Sequence, residues 1–271
     1  MVTFYDGFYP HNDDRGKMIM APGNALETYH PVRNPIDGIT GLDCLLRRML
    51  ALPERYASPA RKATWQRILE RVPPISFTEQ AGHKIIACAD TSSEIHNCEI
   101  PELYPVFPFD QFGIGKPDLQ IAIDTARYAP TTDEQLTHIS WHQQGIHYAR
   151  LGMLPEAMDF LVKKLGNAAM RVPVYWGPGH DWTPDHNWGG SGMIQLQEML
   201  LQTDGAAIYL LPCWDKRVDV TFRLHAPGNT VVECTYQAGE IVSLHVTPAE
   251  RQRDLILPAQ SSNVTGQIAS K

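Results

Sequence analysis

The sequence predicts a mainly α protein with a C-terminal β part, and three observations carry that prediction. Apolar residues recur with a period near 3.6 in segments up to about residue 203. Between about residues 206 and 258 the period changes to 2. The helical segments run in neighbouring pairs, with long irregular stretches between the pairs. That spacing argues for an array of α-hairpins rather than βαβ units.

The first helix is expected over residues 39–52, where Ile39, Leu42, Leu45, Leu46, Met49 and Leu52 form one apolar face and Pro53 ends it. Ser58 and Pro59 open a second as N-cap and N1, running through Trp65, Ile68 and Leu69 until Pro73 and Pro74 stop it. Residues 75–117 read as irregular and rich in Pro and aromatics. Helices follow over about 118–128, then over 132–151 with Thr132 as cap, and over 156–165, ended by Gly166 and Asn167. A sixth covers 191–202, with Ile194, Leu196, Met199 and Leu200 as its apolar positions. Strands are expected over 207–211, 218–224, 230–237 and 241–247. Ala238-Gly239 and Pro227-Gly228-Asn229 read as the turns between them. The domain reading is thus 1–203 helical, 206–258 an antiparallel β-domain and 259–271 a polar tail.

Bulk composition sets the outer bounds. The chain has 271 residues, 43% hydrophobic and 20% charged, ordinary for a globular protein with a sizeable core. A net charge of −7 argues against nucleic acid or an anionic membrane as partner. No apolar run is long enough to span a bilayer, and the N-terminus has neither the basic start nor the apolar stretch of a signal peptide. Cys44, Cys88, Cys98, Cys213 and Cys234 are scattered without a C-x-x-C pair, which reads as core packing rather than disulfides or zinc ligation.

The segment YWGPGHDWTPDHNWGGSGMIQLQEMLLQ, residues 175–202, is chemically the densest. Trp176, Trp182, Trp188, Asp181 and Asp185 crowd a Gly/Pro-rich loop that leads straight into a helix. Flat rings stack on the apolar faces of pyranoses, and carboxylates bind hydroxyls or move protons. The plain alternative is that the Trp residues pack for stability. Three further segments set polar groups beside aromatics or prolines: APGNALETYH around Glu27, NCEIPELYPVFP around Glu99 and Glu102, and ISWHQQGIHYARLG around Trp141 and His142. Glu27 near a helix start would also be favoured by the helix dipole alone, and Glu99 or Glu102 could simply satisfy backbone donors. His142 and His147 lie five apart, on diverging helix faces, and His180, Asp181, Asp185 and His186 lack any ligand spacing. No metal and no cofactor is therefore expected. GGSGM at 189–193 is no G-x-S-x-G elbow, and no Lys follows it as in a P-loop.

Taken together and in order, these segments resemble the C-terminal part of an (α/α)6-barrel glycoside hydrolase of family 95, the α-L-fucosidase type. Residues 185–190, DHNWGG, with MIQLQEMLLQTDGAAIYLLPCW after them, look like the family's D-G-N-F-G-G segment, A-E-M-L-L-Q helix and I-x-L-L-P-A strand. ISWHQQGIHYARLGMLPEAMDFL is similar to its G-W-S-x-x-W helix, and RLHAPGNTVVECTYQAGEIVSLHV resembles its C-terminal β-domain. The sequence departs at His186, Trp188 and His142, and at Glu102-Leu103, which stand where the family has glycine, phenylalanine, serine and Ser-His.

The resemblance implies a partial (α/α)6 barrel followed by a small β-domain, and an inverting hydrolase of O-glycosidic bonds in oligo- or polysaccharides. One carboxylic acid then protonates the leaving oxygen while a base activates water on the opposite face. It implies Glu27 as general acid and Asp185 as the residue that binds sugar hydroxyls or orients the water. Glu102, Trp141, His142, Trp176, Asp181, Asn187 and Trp188 are the expected substrate-binding residues. Such a barrel needs twelve helices, and about six are read here before the β part. The expectation is thus a fragment of a larger enzyme, with the missing N-terminal half of the barrel as a partner beside the carbohydrate substrate. The alternatives are a lyase or phosphorylase on the same barrel, or a non-catalytic carbohydrate-binding or scaffold remnant.

Overall fold

The computed structural model describes residues 2–91, 94–166 and 186–257, with the backbone alone at residue 186. Over these the chain is mixed α/β, 37% helical and 21% strand, with four small sheets. This corrects the mainly α expectation and with it the partial (α/α)6 barrel. The expectation of a missing barrel half loses its basis at the same time. The tail expected at 259–271 lies outside the described residues.

α1 (Val2–Phe8) precedes a hairpin of β1 (Gly23–Ala25) and β2 (Tyr29–Val32). α2 (Ile36–Leu50) buries Ile36, Ile39, Leu42 and Leu46 along one face and packs on α3 (Pro59–Arg71). At the start of α3, Ser58 Oγ accepts from the Arg61 amide at 3.4 Å and Pro59 occupies the first turn, as the cap residues predict. Within the stretch read as irregular lies an antiparallel hairpin of β3 (Phe77–Gln80) and β4 (His83–Ile86). Ala81 and Gly82 turn it with φ of 51° and 80°, the left-handed pair whose twist suits a two-residue hairpin loop. Every residue of β3 is exposed, so no alternation of apolar and polar residues marks it. α4 (Leu119–Tyr128) covers this hairpin, its Thr125 Oγ1 accepting from the Ile86 amide at 2.9 Å.

The long helix expected over 132–151 is reduced to α5 (Gln144–Arg150). Its expected start does form one turn. The Thr132 amide donates to Gln135 Oε1 at 2.8 Å, and the Gln135 amide donates back to Thr132 Oγ1 at 3.3 Å. Ser140 then enters the left-handed region at φ 54°, and its carbonyl accepts from the Lys164 ammonium at 2.6 Å. A contact with a residue 24 positions away leaves no trace in local periodicity.

α6 (Leu154–Leu165) and α7 (His186–Leu200) pack with α5 and with each other. Gly145 lies where α5 and α7 approach most closely, since a Cβ there would overlap Oε1 of fully buried Gln195. β5 (Leu201–Asp204) continues directly from α7 and pairs antiparallel with β6 (Ala207–Leu210). β7 (Val220–Ala226), β8 (Thr230–Gln237) and β9 (Glu240–Thr247) form an antiparallel meander, with Ala238 and Gly239 as the left-handed pair at its second turn. β10 (Leu255–Ile256) returns to lie parallel beside β6. Leu196 and Trp214 pack against both the helical core and the core under the sheets, joining the two. Among the described residues no helix is long and apolar enough to cross a membrane.

Candidate functional site

The β1–β2 hairpin carries Glu27 at its turn. Leu26 takes φ 51°, and its amide is held by the Asp37 carboxylate, which also accepts from its own amide and that of Gly38 at the start of α2. Burial nevertheless dominates at Asp37 and pushes its pKa up to about 6. Glu27 itself is exposed, and its Oε2 accepts from Asn97 Nδ2 at 2.8 Å. The next residue, Thr28, is fully buried. Its Oγ1 lies 2.9 Å from Glu99 Oε2 and 3.0 Å from the Glu99 carbonyl, donating its one hydrogen to that pair. The His96 amide donates to the Thr28 carbonyl at 2.9 Å. The Glu27 turn and the segment ending at Glu99 are therefore bound together.

Glu99 and Tyr104, on either side of a 3-10 turn at Pro101–Leu103, form one wall of a recess. Trp141 and His142, which leave the left-handed Ser140, and Gln143, Gln144 and His147 at the start of α5 form the other. The rings of Trp141 and His142 stack at 4.6 Å with 21° between planes. Burial, followed by the charges of Glu99 and Asp37, pushes the Tyr104 hydroxyl up to about 12. Burial pushes His147 down to about 4, so it is neutral at physiological pH. Its Nε2 faces the Phe107 carbonyl at 3.4 Å, which places the hydrogen on Nε2 and leaves Nδ1 as an acceptor. Nδ1 of His147 and Oε1 of both Gln143 and Gln144 are buried without a hydrogen-bond partner.

Not every expected site residue reaches this recess. Trp141 and His142 line it, and Glu27 sits beside it through Asn97, Thr28 and Glu99. Glu102 does not line it. Its side chain is 3% exposed and turned inward, where Tyr29 donates a hydrogen bond to it and Cys88 lies close. Burial pushes its pKa up to about 7. The 3-10 turn explains the exchange, because it sends Glu99 outward and Glu102 into the core. Trp188 does not line the recess either. It is 4% exposed, its Nε1 donates to the Lys164 carbonyl at 2.7 Å, and the Lys164 ammonium lies 5.5 Å from its ring centre. Asn187 is exposed in the first turn of α7, where its carbonyl accepts from Ser191 Oγ at 2.8 Å. Trp176, Asp181 and Asp185 lie outside the described residues.

Sequence reasoning overlooked Asp37, Asn97, Tyr104 and the two glutamines as parts of this site. The one available signal was Asp37, a carboxylate in the first turn of a helix just after the Glu27 turn. Among the described residues no group of three or more His, Cys, Asp or Glu is placed to hold a metal ion. Behind the recess, Arg150 of α5 is nearly buried between Glu198, 2.9 Å away, and Asp110, and Lys116 extends this network to Asp204 at 2.8 Å.

No protein-family model matches the chain, and no curated protein matches it significantly.

Proposed function

We propose that the chain belongs to the carbohydrate-active hydrolases, with a sugar docking at the mouth of the recess and one of its substituents entering it. The particular activity we propose is hydrolysis of O-glycosidic bonds in oligo- or polysaccharides by an inverting acid/base mechanism, related to that of family 95. The observation that supports it best is one juxtaposition: Trp141 and Glu99 line one recess, and Glu27 is the chain neighbour of Thr28, which is bonded to Glu99. An aromatic ring beside carboxylates is what a pyranose needs, one apolar face and several hydroxyls.

In this reading Glu27 delivers a proton to the leaving oxygen from Oε1, since Oε2 is occupied by Asn97. Asp185, assigned by the resemblance, binds sugar hydroxyls or orients the water on the far face of the sugar. Glu99 and His142 bind ring hydroxyls. The test is hydrolysis of a panel of aryl glycosides by the chain and by Glu27→Gln and Asp185→Asn. Each substitution is expected to lower kcat/KM by about 10²–10⁴-fold at unchanged folding. Full activity in both variants would overturn the assignment.

One observation favours the non-catalytic alternative. Glu27 is exposed, whereas a carboxylic acid that keeps its proton near neutral pH is ordinarily desolvated. If no glycoside in the panel is cleaved while sugars still bind, with Trp141→Ala abolishing that binding, the chain is a carbohydrate-binding protein.

A further inference from the structure

The hydrogen-bonding groups in the recess are strongly one-sided. Oε1 of Gln143, Oε1 of Gln144 and Nδ1 of His147 are buried acceptors without partners. The orientation of Gln144 follows from its other end, because its Nε2 donates to the Gln135 carbonyl. His147 is fixed in the same way by the Phe107 carbonyl at its Nε2. Glu99 adds a carboxylate to these neutral acceptors, and the rings of Trp141 and Tyr104 complete the lining. Among the described residues no Lys or Arg lines the recess. The nearest guanidinium, Arg150, is bound by Asp110 and Glu198. Gln144 and His147 are 3% and 2% exposed, so water serves them poorly.

The cavity is about 10 Å³, room for one small head group rather than a sugar ring, and its acceptors, one negative charge and aromatic faces are complementary to a group with several N–H donors and a positive charge. A hydroxyl brings one hydrogen and no charge, an acetamido group one hydrogen and a bulky acyl arm, and a carboxylate only repulsion. An ammonium brings three hydrogens and the charge. We infer that the sugar bound at the mouth of this recess carries a protonated primary amine, so that the substrates are glycosides of amino sugars, with Glu99 as the counter-ion and Gln144 and His147 as the neutral acceptors. This rests on the carbohydrate reading above and narrows it to one substrate class.

Binding of the methyl glycosides of glucosamine, glucose, N-acetylglucosamine and glucuronic acid, measured by calorimetry or ligand-observed NMR on the full chain, tests it. The amine is expected to bind at least about tenfold more tightly than the neutral sugar, as a charge-assisted hydrogen bond would give, with the uronate weakest. Glu99→Gln keeps an acceptor for Thr28 and is expected to remove the preference without lowering Tm. Gln144→Met is expected to weaken amine binding more than binding of the neutral sugar. Equal binding of amine and hydroxyl sugars, or a preference that survives Glu99→Gln, would overturn the inference. Turnover of a neutral aryl glycoside with no gain from an amine also overturns it while sustaining the hydrolase reading. Amine-selective binding without turnover of any aryl glycoside sustains it and sinks the hydrolase reading instead.

Discussion

The β7–β9 meander and the recess beside the Glu27 turn lie in one chain but are held by different forces. In the meander, β8 alternates inward and outward residues, and Val232, Cys234 and Tyr236 are buried against the sheet's neighbours. Backbone ladders satisfy its polar groups, and among the described residues it contains no orphaned buried side-chain atom. Around the recess the balance is reversed. A cation is buried at Lys164, and partnerless polar atoms occur at Gln143, Gln144 and His147. The sheet is held by apolar burial and backbone ladders, and the recess region carries buried polar atoms that cost stability.

The sharpest way to break that comparison is to remove one member from each side. Arg150→Met leaves Glu198 without the guanidinium that faces it and Asp110 with Lys116 alone, and is expected to lower unfolding free energy by about 3–5 kcal/mol. Leu210→Ala in β6, 1% exposed in the core that β6 shares with the meander, is expected to lower it by about 2–5 kcal/mol through the cavity it leaves. Urea unfolding at low and high salt separates the two. A clear salt dependence is expected in the wild-type/Arg150→Met difference and none in the Leu210→Ala difference. Equal salt responses would show that both regions rest on apolar burial.

Glu102 and His147 give the recess side a pH dependence between about pH 4 and 7. Glu102 is raised from 4.5 to about 7, so the stability it contributes is complete below pH 4.5 and is lost as the pH rises through 7. His147 is lowered from 6.5 to about 4, so its contribution is complete above pH 6.5 and is lost as the pH falls through 4. Glu102→Gln keeps an acceptor for Tyr29 and removes the first of these slopes. Relative to wild type it is expected to gain up to about 3 kcal/mol between pH 4.5 and 7. Thermal melts across that window check it, and parallel pH profiles for the two proteins would show that Glu102 is solvated.

The smallest expected effect concerns Trp188. Replacement by Phe removes the hydrogen bond to the Lys164 carbonyl and is expected to lower stability by about 1 kcal/mol, with sugar binding unchanged. A loss of sugar affinity at unchanged Tm would return Trp188 to the binding site.

What the sequence disclosed follows the same division. α2, α3, α4, α6 and the strands β6–β9 announce themselves by periodicity, caps and turn residues within a few positions of each other. The overlooked strands β1–β5 and β10 are two to four residues long, too short for a period of 2 to appear. Without them the helices looked like a continuous α-hairpin array, which is how a barrel came to be expected. At the site, Glu27, Trp141 and His142 were legible as chemistry because their residue types carry it. That Glu99 faces the recess while Glu102 faces Tyr29 depends on a single 3-10 turn. The break at Ser140 depends on an ammonium 24 residues away.

The close passage of α5 over α7 has an evolutionary consequence. Where position 145 is glycine, a long amide at position 195 can lie flat against its backbone, with Nε2 on the Ala157 carbonyl at 2.6 Å. A lineage that acquires alanine at 145 must shorten residue 195 in the same step or separate the two helices. Substitutions at these positions are therefore expected to be coupled, and related sequences should carry the pair together or replace it together.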